Sequence, residues 1–239
     1  MSDGSVQSIN DANNDGFSEI TTINNTSFGA RFYHRFGSRS KISVDFLNLK
    51  EDRRGGDQLD KPEHESLIAE SATHNITNAT VSFDRFFREQ DHFSAYLSAQ
   101  GVNRDTYYGA LYSLSDYGNS EGFTYNAGMQ YNFILDHVSI VTGFESLGDK
   151  LIDTKLGYPD YSAATFADGE LVIPHIPNTR IADQLKNTGG IFTQVDVEYD
   201  KLSISAGMRY EYYMITDFLK SQDDSQRSKS GNVFSPRVS

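Results

Sequence analysis

The 239-residue chain contains no cysteine, no tryptophan and only five prolines. It also has no run approaching the roughly 20 consecutive apolar residues that a membrane-spanning helix needs. Without cysteine there is no disulfide framework, no thiolate nucleophile and no sulfur-ligated metal. Basic residues are scarce as well: 21 Lys and Arg face 33 Asp and Glu, for a formal charge of -12. Such a surface repels phosphate backbones, so nucleic acid is not an expected partner. The opening MSDGSVQSIN lacks the basic start and apolar stretch of a secretion signal, so no signal peptide is expected. The six histidines (His34, His64, His74, His92, His137 and His175) show no paired metal spacing, and no GxSxG nucleophile motif occurs, so an enzyme is not expected.

Aromatic residues and glycine are abundant, with 16 Phe, 14 Tyr and 19 Gly, a mixture that favours strand and turn. The clearest pattern is FTYNAGMQYNF, where Phe123, Tyr125, Ala127, Met129, Tyr131 and Phe133 alternate with Thr124, Asn126, Gly128, Gln130 and Asn132. A period of two puts the apolar side chains on one face of a strand and the small or polar ones on the other. The pattern recurs in KLSISAGMRYEYY and HFSAYLSAQ, and in weaker form in SFGARFYHRF, KISVDFLNL, NATVSFDRF, HVSIVTGFE, IFTQVDVEYD and VFSPRVS. About nine strands are expected, each near the ten-residue length of a tilted transmembrane strand.

The connections alternate. GSRS, REQD, LDH and DK are tight; the intervening links, such as KEDRRGGDQLDKPEHESLIAESATHN and NRDTYYGALYSLSDYGNSEG, are long and polar. Trimmed turns at one end and long loops at the other are the pattern of an outer-membrane barrel. The fold class expected is all-β, an antiparallel transmembrane barrel seen in part. A soluble all-β binding or adhesion module with a calcium-stabilised loop is the alternative, because one-sided sheets also occur in soluble proteins.

The runs EDRRGGDQLDKPEHESLIAE, SAQGVNRDTYYGA, VTGFESLGDKLID, GGIFTQVDVEY, LSISAGMRYEYY and the terminal SPRVS resemble the barrel of TonB-dependent outer-membrane receptors. Within that family their order looks most like the receptors for vitamin B12 and related cobalamins. The resemblance implies a plugged barrel of roughly 22 strands in the outer membrane, of which residues 1–239 form a part without plug or signal peptide. It also implies TonB as a partner through the plug, lipid around the wall, and a large scarce nutrient as ligand, cobalamin-like or a ferric siderophore.

DANNDGFSE, residues 11–19, has the opening spacing of a calcium loop, but a helical calcium hand needs a bidentate acid where Thr22 stands. The resemblance gives the stretch a different task. Asp11, Asn13 and Asp15 would hold calcium at an outer loop, Gly16 would permit the turn, and Asp57 or Asp60 would complete the shell. The same residues also make metal-free Asx turns. In NRDTYYGALYSLSDYG, Arg104, Tyr107, Tyr108 and Tyr112 are candidate ligand contacts, with Tyr117 nearby; aromatics there also suit a membrane-boundary girdle. Gln194, Asp196, Glu198, Arg209 and Glu211 are expected to face the lumen.

Overall fold

Alternating β-branched, aromatic and small polar residues leave the chain little to fold with except strands, and strands it forms. The computed structural model describes residues 22–88, 90–167, 169–220 and 227–239. Its strands are β1 (Thr22–Phe36), β2 (Ser40–Gly56), β3 (Ile68–Phe86), β4 (His92–Ala110), β5 (Tyr117–Leu135), β6 (Val138–Lys155), β7 (Tyr158–Pro159), β8 (Thr165–Ala167), β9 (Glu170–Val172), β10 (His175–Ile176), β11 (Thr179–Tyr199), β12 (Leu202–Asp217) and β13 (Ser228–Val238). Nine of them form one antiparallel sheet in the order β1-β2-β3-β4-β5-β6-β11-β12-β13, every neighbour being a neighbour in sequence apart from the inserted β7 to β10. The insertion makes two small ladders, β7 with β10 and β8 with β9.

The nine alternating runs of the sequence are the nine strands of this sheet, but the strands are longer than the expected ten residues. β11 has 21 residues and β3, β4 and β5 have 19 each. Much of what reads as long loop is paired strand: Lys50 to Gly56 faces Asn75 back to Ala69 in register. Backbone N–H and C=O groups still need partners where the side chains are polar on both faces, so pairing continues after the hydrophobic alternation has stopped. The tight turns fall at 37–39, 87–91, 136–137 and 200–201, all at one end of the sheet; the longer links fall at the other end.

Register carries a single apolar face across the strands. Met129 lies opposite Phe144, Phe144 opposite Ile191, Ile191 opposite Tyr210 and Tyr210 opposite Phe234. That row is open: Met129 is 51% exposed, Ile191 60% and Phe234 61%. A sandwich would cover such a face with a second sheet. Here the buried apolar residues among those described are only Ala69, Ala72 and Tyr107, and no second sheet among the described residues covers this face. An apolar face of this extent is suited to hydrocarbon rather than water.

Aromatic side chains cover glycines on the opposing strand. Tyr96 lies on Gly128, Phe192 on Gly143, Tyr125 on Gly148 and Tyr213 on Gly231, each a direct cross-strand pair. The ring shields the backbone that glycine leaves bare, and the glycine makes room for the ring. A one-residue slip would separate every such couple, so they hold the register.

Candidate ligand-binding site

The end of the sheet with the longer links carries the candidate residues. β2 leaves the sheet through Gly56, whose φ of +103° is open to glycine and whose missing Cβ would stand 2.2 Å from the Ile68 carbonyl oxygen. Asp57 follows, and its carboxylate accepts the Leu67 amide at 3.3 Å and the Ile68 amide at 3.1 Å. Those two bonds close link 57–67 into a compact Ω-like turn with a single helical turn, Glu63–Glu65.

That turn docks on the β4–β5 hairpin. Leu111 donates its amide to the Leu67 carbonyl at 2.7 Å, Tyr112 donates to Ser66 at 3.2 Å, and Arg54 Nη2 donates to Ser66 Oγ at 3.0 Å. Leu111 and Tyr112, the first two residues of link 111–116, both have positive φ, 59° and 62°. Neither is a glycine, and the amide bonds to the neighbouring link hold them there. Tyr117 donates to Glu63 at 3.2 Å and lies 2.9 Å from His64 Nδ1. Burial alone would raise Glu63, but its own backbone bond, the Ser71 and Tyr117 hydroxyls and the Arg54 charge together hold its carboxyl below the usual 4.5.

The candidates from NRDTYYGALYSLSDYG separate. Arg104, Tyr107 and Tyr108 lie in β4 rather than in a loop, and successive strand residues face opposite ways. Arg104 and Tyr108 share the polar face, with Nη2 of Arg104 donating to the Tyr108 hydroxyl at 2.7 Å. Tyr107 turns the other way and is fully buried against the Tyr117 ring, its hydroxyl donating to the Ser113 carbonyl at 2.9 Å. It braces the hairpin and does not meet Arg104 and Tyr108. Tyr112 stands at the hairpin tip, 56% exposed.

Asp11, Asn13 and Asp15 lie outside the described residues. Asp57 and Asp60 lie within the docked turn, and Asp57 already serves two amides. Among the described residues no group of three or more His, Asp or Glu side chains is arranged to hold a metal ion.

Gln194, Asp196, Arg209 and Glu211 do assemble, on the polar face. Arg209 reaches Glu145 at 2.8 Å and Glu211 at 2.7 Å, and Gln194 donates to both oxygens of Asp196 at 2.9 and 3.0 Å. Glu145 is two strands from Arg209; Gly190, between them, leaves the guanidinium a flat path.

Sequence reasoning missed Arg53 and His74. Both stand on the polar face beside Arg104, around a cavity of about 190 Å³ lined by Arg53, Glu70, Ala72, His74, Arg104 and Tyr108. His74 and Arg104 are cross-strand partners 30 positions apart, and only the register, which no local pattern announces, brings them together.

Several solved structures share this architecture. The copper transporter OprC superposes with a TM-score of 0.70 at 8% identity, over 91% of this chain and 34% of that one. The ferric preacinetobactin receptor BauA from Acinetobacter baumannii gives 0.60 at 11% identity, over 91% and 37%. The ferric citrate transporter FecA gives 0.54 at 11%, over 93% and 33%. The chain thus spans about a third of the length of these proteins, and at such identities the likeness is one of fold. No curated protein matches the sequence. A family model described as TonB dependent receptor-like, beta-barrel matches residues 3–239, and a chain that builds one antiparallel wall with an open apolar face belongs to that family of outer-membrane barrels.

Proposed function

We propose that this chain is part of the wall of a TonB-dependent receptor that imports a large, scarce solute, cobalamin-like or a ferric siderophore. The apolar face meets lipid and the polar face lines the lumen. The docked link 57–67 and the β4–β5 hairpin stand at the outer mouth, where Arg104, Tyr108 and Tyr112 contact the solute. Release into the periplasm is driven by TonB acting on a plug in the lumen. The wall binds and guides, and no bond in the solute is made or broken.

The observation that carries this reading is the division of one sheet into an open apolar face and a polar, ion-paired face, with short turns at one end and longer links at the other. Calcium at Asp11, Asn13 and Asp15, with Asp57 or Asp60 completing the shell, belongs to the proposal on the strength of the resemblance of DANNDGFSE to the outer calcium loop of the cobalamin receptors.

The full-length receptor is expected in the outer-membrane fraction, extractable only with detergent, and its uptake of solute is expected to cease when TonB is deleted. Recovery of folded receptor from plain buffer would defeat the proposal. Titration of the detergent-purified receptor with cyanocobalamin and with ferric siderophores, each with and without a calcium chelator, separates the solute classes. Binding unaffected by the chelator would remove calcium from the account.

A further inference from the structure

The cavity around Ala72 has a distinct chemistry. Ala72 is nearly buried and forms its floor, directly opposite Arg53 on one side and Thr106 on the other. Arg53 engages Glu51 through Nε at 2.6 Å and stands exposed at the rim of the cavity. Arg104 gives one nitrogen to Tyr108, but its Nε is buried and unpartnered; so is Nδ1 of His74. The Tyr108 hydroxyl accepts from Arg104 and so keeps its own proton to donate. Buried polar atoms without partners are uncommon, because water has been removed and nothing has replaced it. Here two such atoms, Nε of Arg104 and Nδ1 of His74, belong to residues that line one cavity.

Donors from two guanidiniums and a phenol call for an oxyanion, which a guanidinium fork can hold through two parallel bonds. Glu70 qualifies that. It lines the same cavity, is exposed at its rim, and would repel a bare anion while accepting a hydrogen bond from a hydroxyl. The volume, about 190 Å³, is enough for a small acid or for one arm of a larger chelate.

We infer that the Arg53, His74, Arg104, Tyr108 and Glu70 cavity is a subsite for a hydroxycarboxylate, its carboxylate held by the arginines, Tyr108 and His74 and its hydroxyl by Glu70. The inference rests on the receptor reading above and gives its solute a chemical handle. It also gives Arg104 and Tyr108 a common task with two residues from β2 and β3.

The test uses the full-length receptor in detergent and isothermal titration with three probes: citrate, tricarballylate, which is citrate without its hydroxyl, and inorganic phosphate. Citrate is expected to bind more tightly than either of the others. Arg104→Gln should weaken citrate by about ten-fold or more, the loss of a charge-assisted bond. Glu70→Ala should abolish the preference for citrate over tricarballylate. Arg209→Gln, whose guanidinium is already matched by Glu145 and Glu211, should bind citrate as the unaltered receptor does. Absence of citrate binding, equal affinity for all three probes, or an Arg104→Gln variant that binds like the parent would each overturn the subsite. A receptor that sits in the outer membrane and takes up solute yet ignores citrate defeats this inference alone; one that never reaches the outer membrane defeats the receptor reading.

Discussion

Gly56 shows how much can rest on one residue at the mouth of this wall. Any side chain there must adopt a positive φ and push its Cβ into the backbone of Ile68 and Ala69, which the paired strands cannot yield. Gly56→Ala is therefore expected to cost at least about 1–3 kcal/mol in conformation alone, before the clash is counted. A lowered denaturant midpoint for the refolded receptor would register it. An unchanged midpoint would mean that the β2 exit is not as tight as described. The same scale explains a limit of the sequence. Tyr107 and Tyr108 are adjacent and chemically alike, yet one is buried behind the hairpin and the other lies on the polar face with Arg104. Once the residues are seen to lie in a strand, alternation alone separates them; read as loop, they look equivalent.

At the scale of elements, link 57–67 and the β4–β5 hairpin form one docked unit, and Glu63 makes that docking sensitive to acid. Its carboxyl titrates below the usual 4.5, so the docked form binds the proton less readily than the undocked form. The contribution to docking is complete above the usual value and is lost as pH falls through the lowered one. Protection of the Leu111 and Tyr112 amides, which donate to Leu67 and Ser66, taken relative to their intrinsic exchange rates, should be high at neutral pH and fall once the pH drops below the usual carboxylate range. Glu63→Gln should remove that pH dependence; protection that falls equally in the variant would assign it to another group. The strands themselves were legible because lipid on one side and water on the other impose strict alternation. Their outer extensions were not, because above the hydrocarbon both faces are wet and the alternation ends while the pairing goes on.

For the whole molecule, the absence of cysteine is of practical use. Ser38 lies in a tight turn and Ala167 in the longest link, at opposite ends of the sheet. In whole cells a membrane-impermeant thiol reagent should label Ala167→Cys but reach Ser38→Cys only after the outer membrane is breached. The reverse pattern would invert the wall, and labelling of both would remove it from the membrane. The architecture as a whole could be read from alternation and from the sorting of link lengths, both local properties. The candidate site could not, since its cavity is assembled from three strands whose register appears nowhere in a single line of residues.

The sheet's strand count has a geometric outcome. Among the described residues, nine antiparallel strands in succession leave β1 and β13 running in the same direction, from the long-link end towards the turn end. Rolled up on itself, the sheet would have to seal with a parallel seam, which an antiparallel barrel does not contain. Bacterial barrels of one chain have an even number of strands, so parity requires the remaining arc to supply an odd number. Each free edge can be satisfied only by a strand pointing the opposite way, and neither edge can serve as that partner for the other.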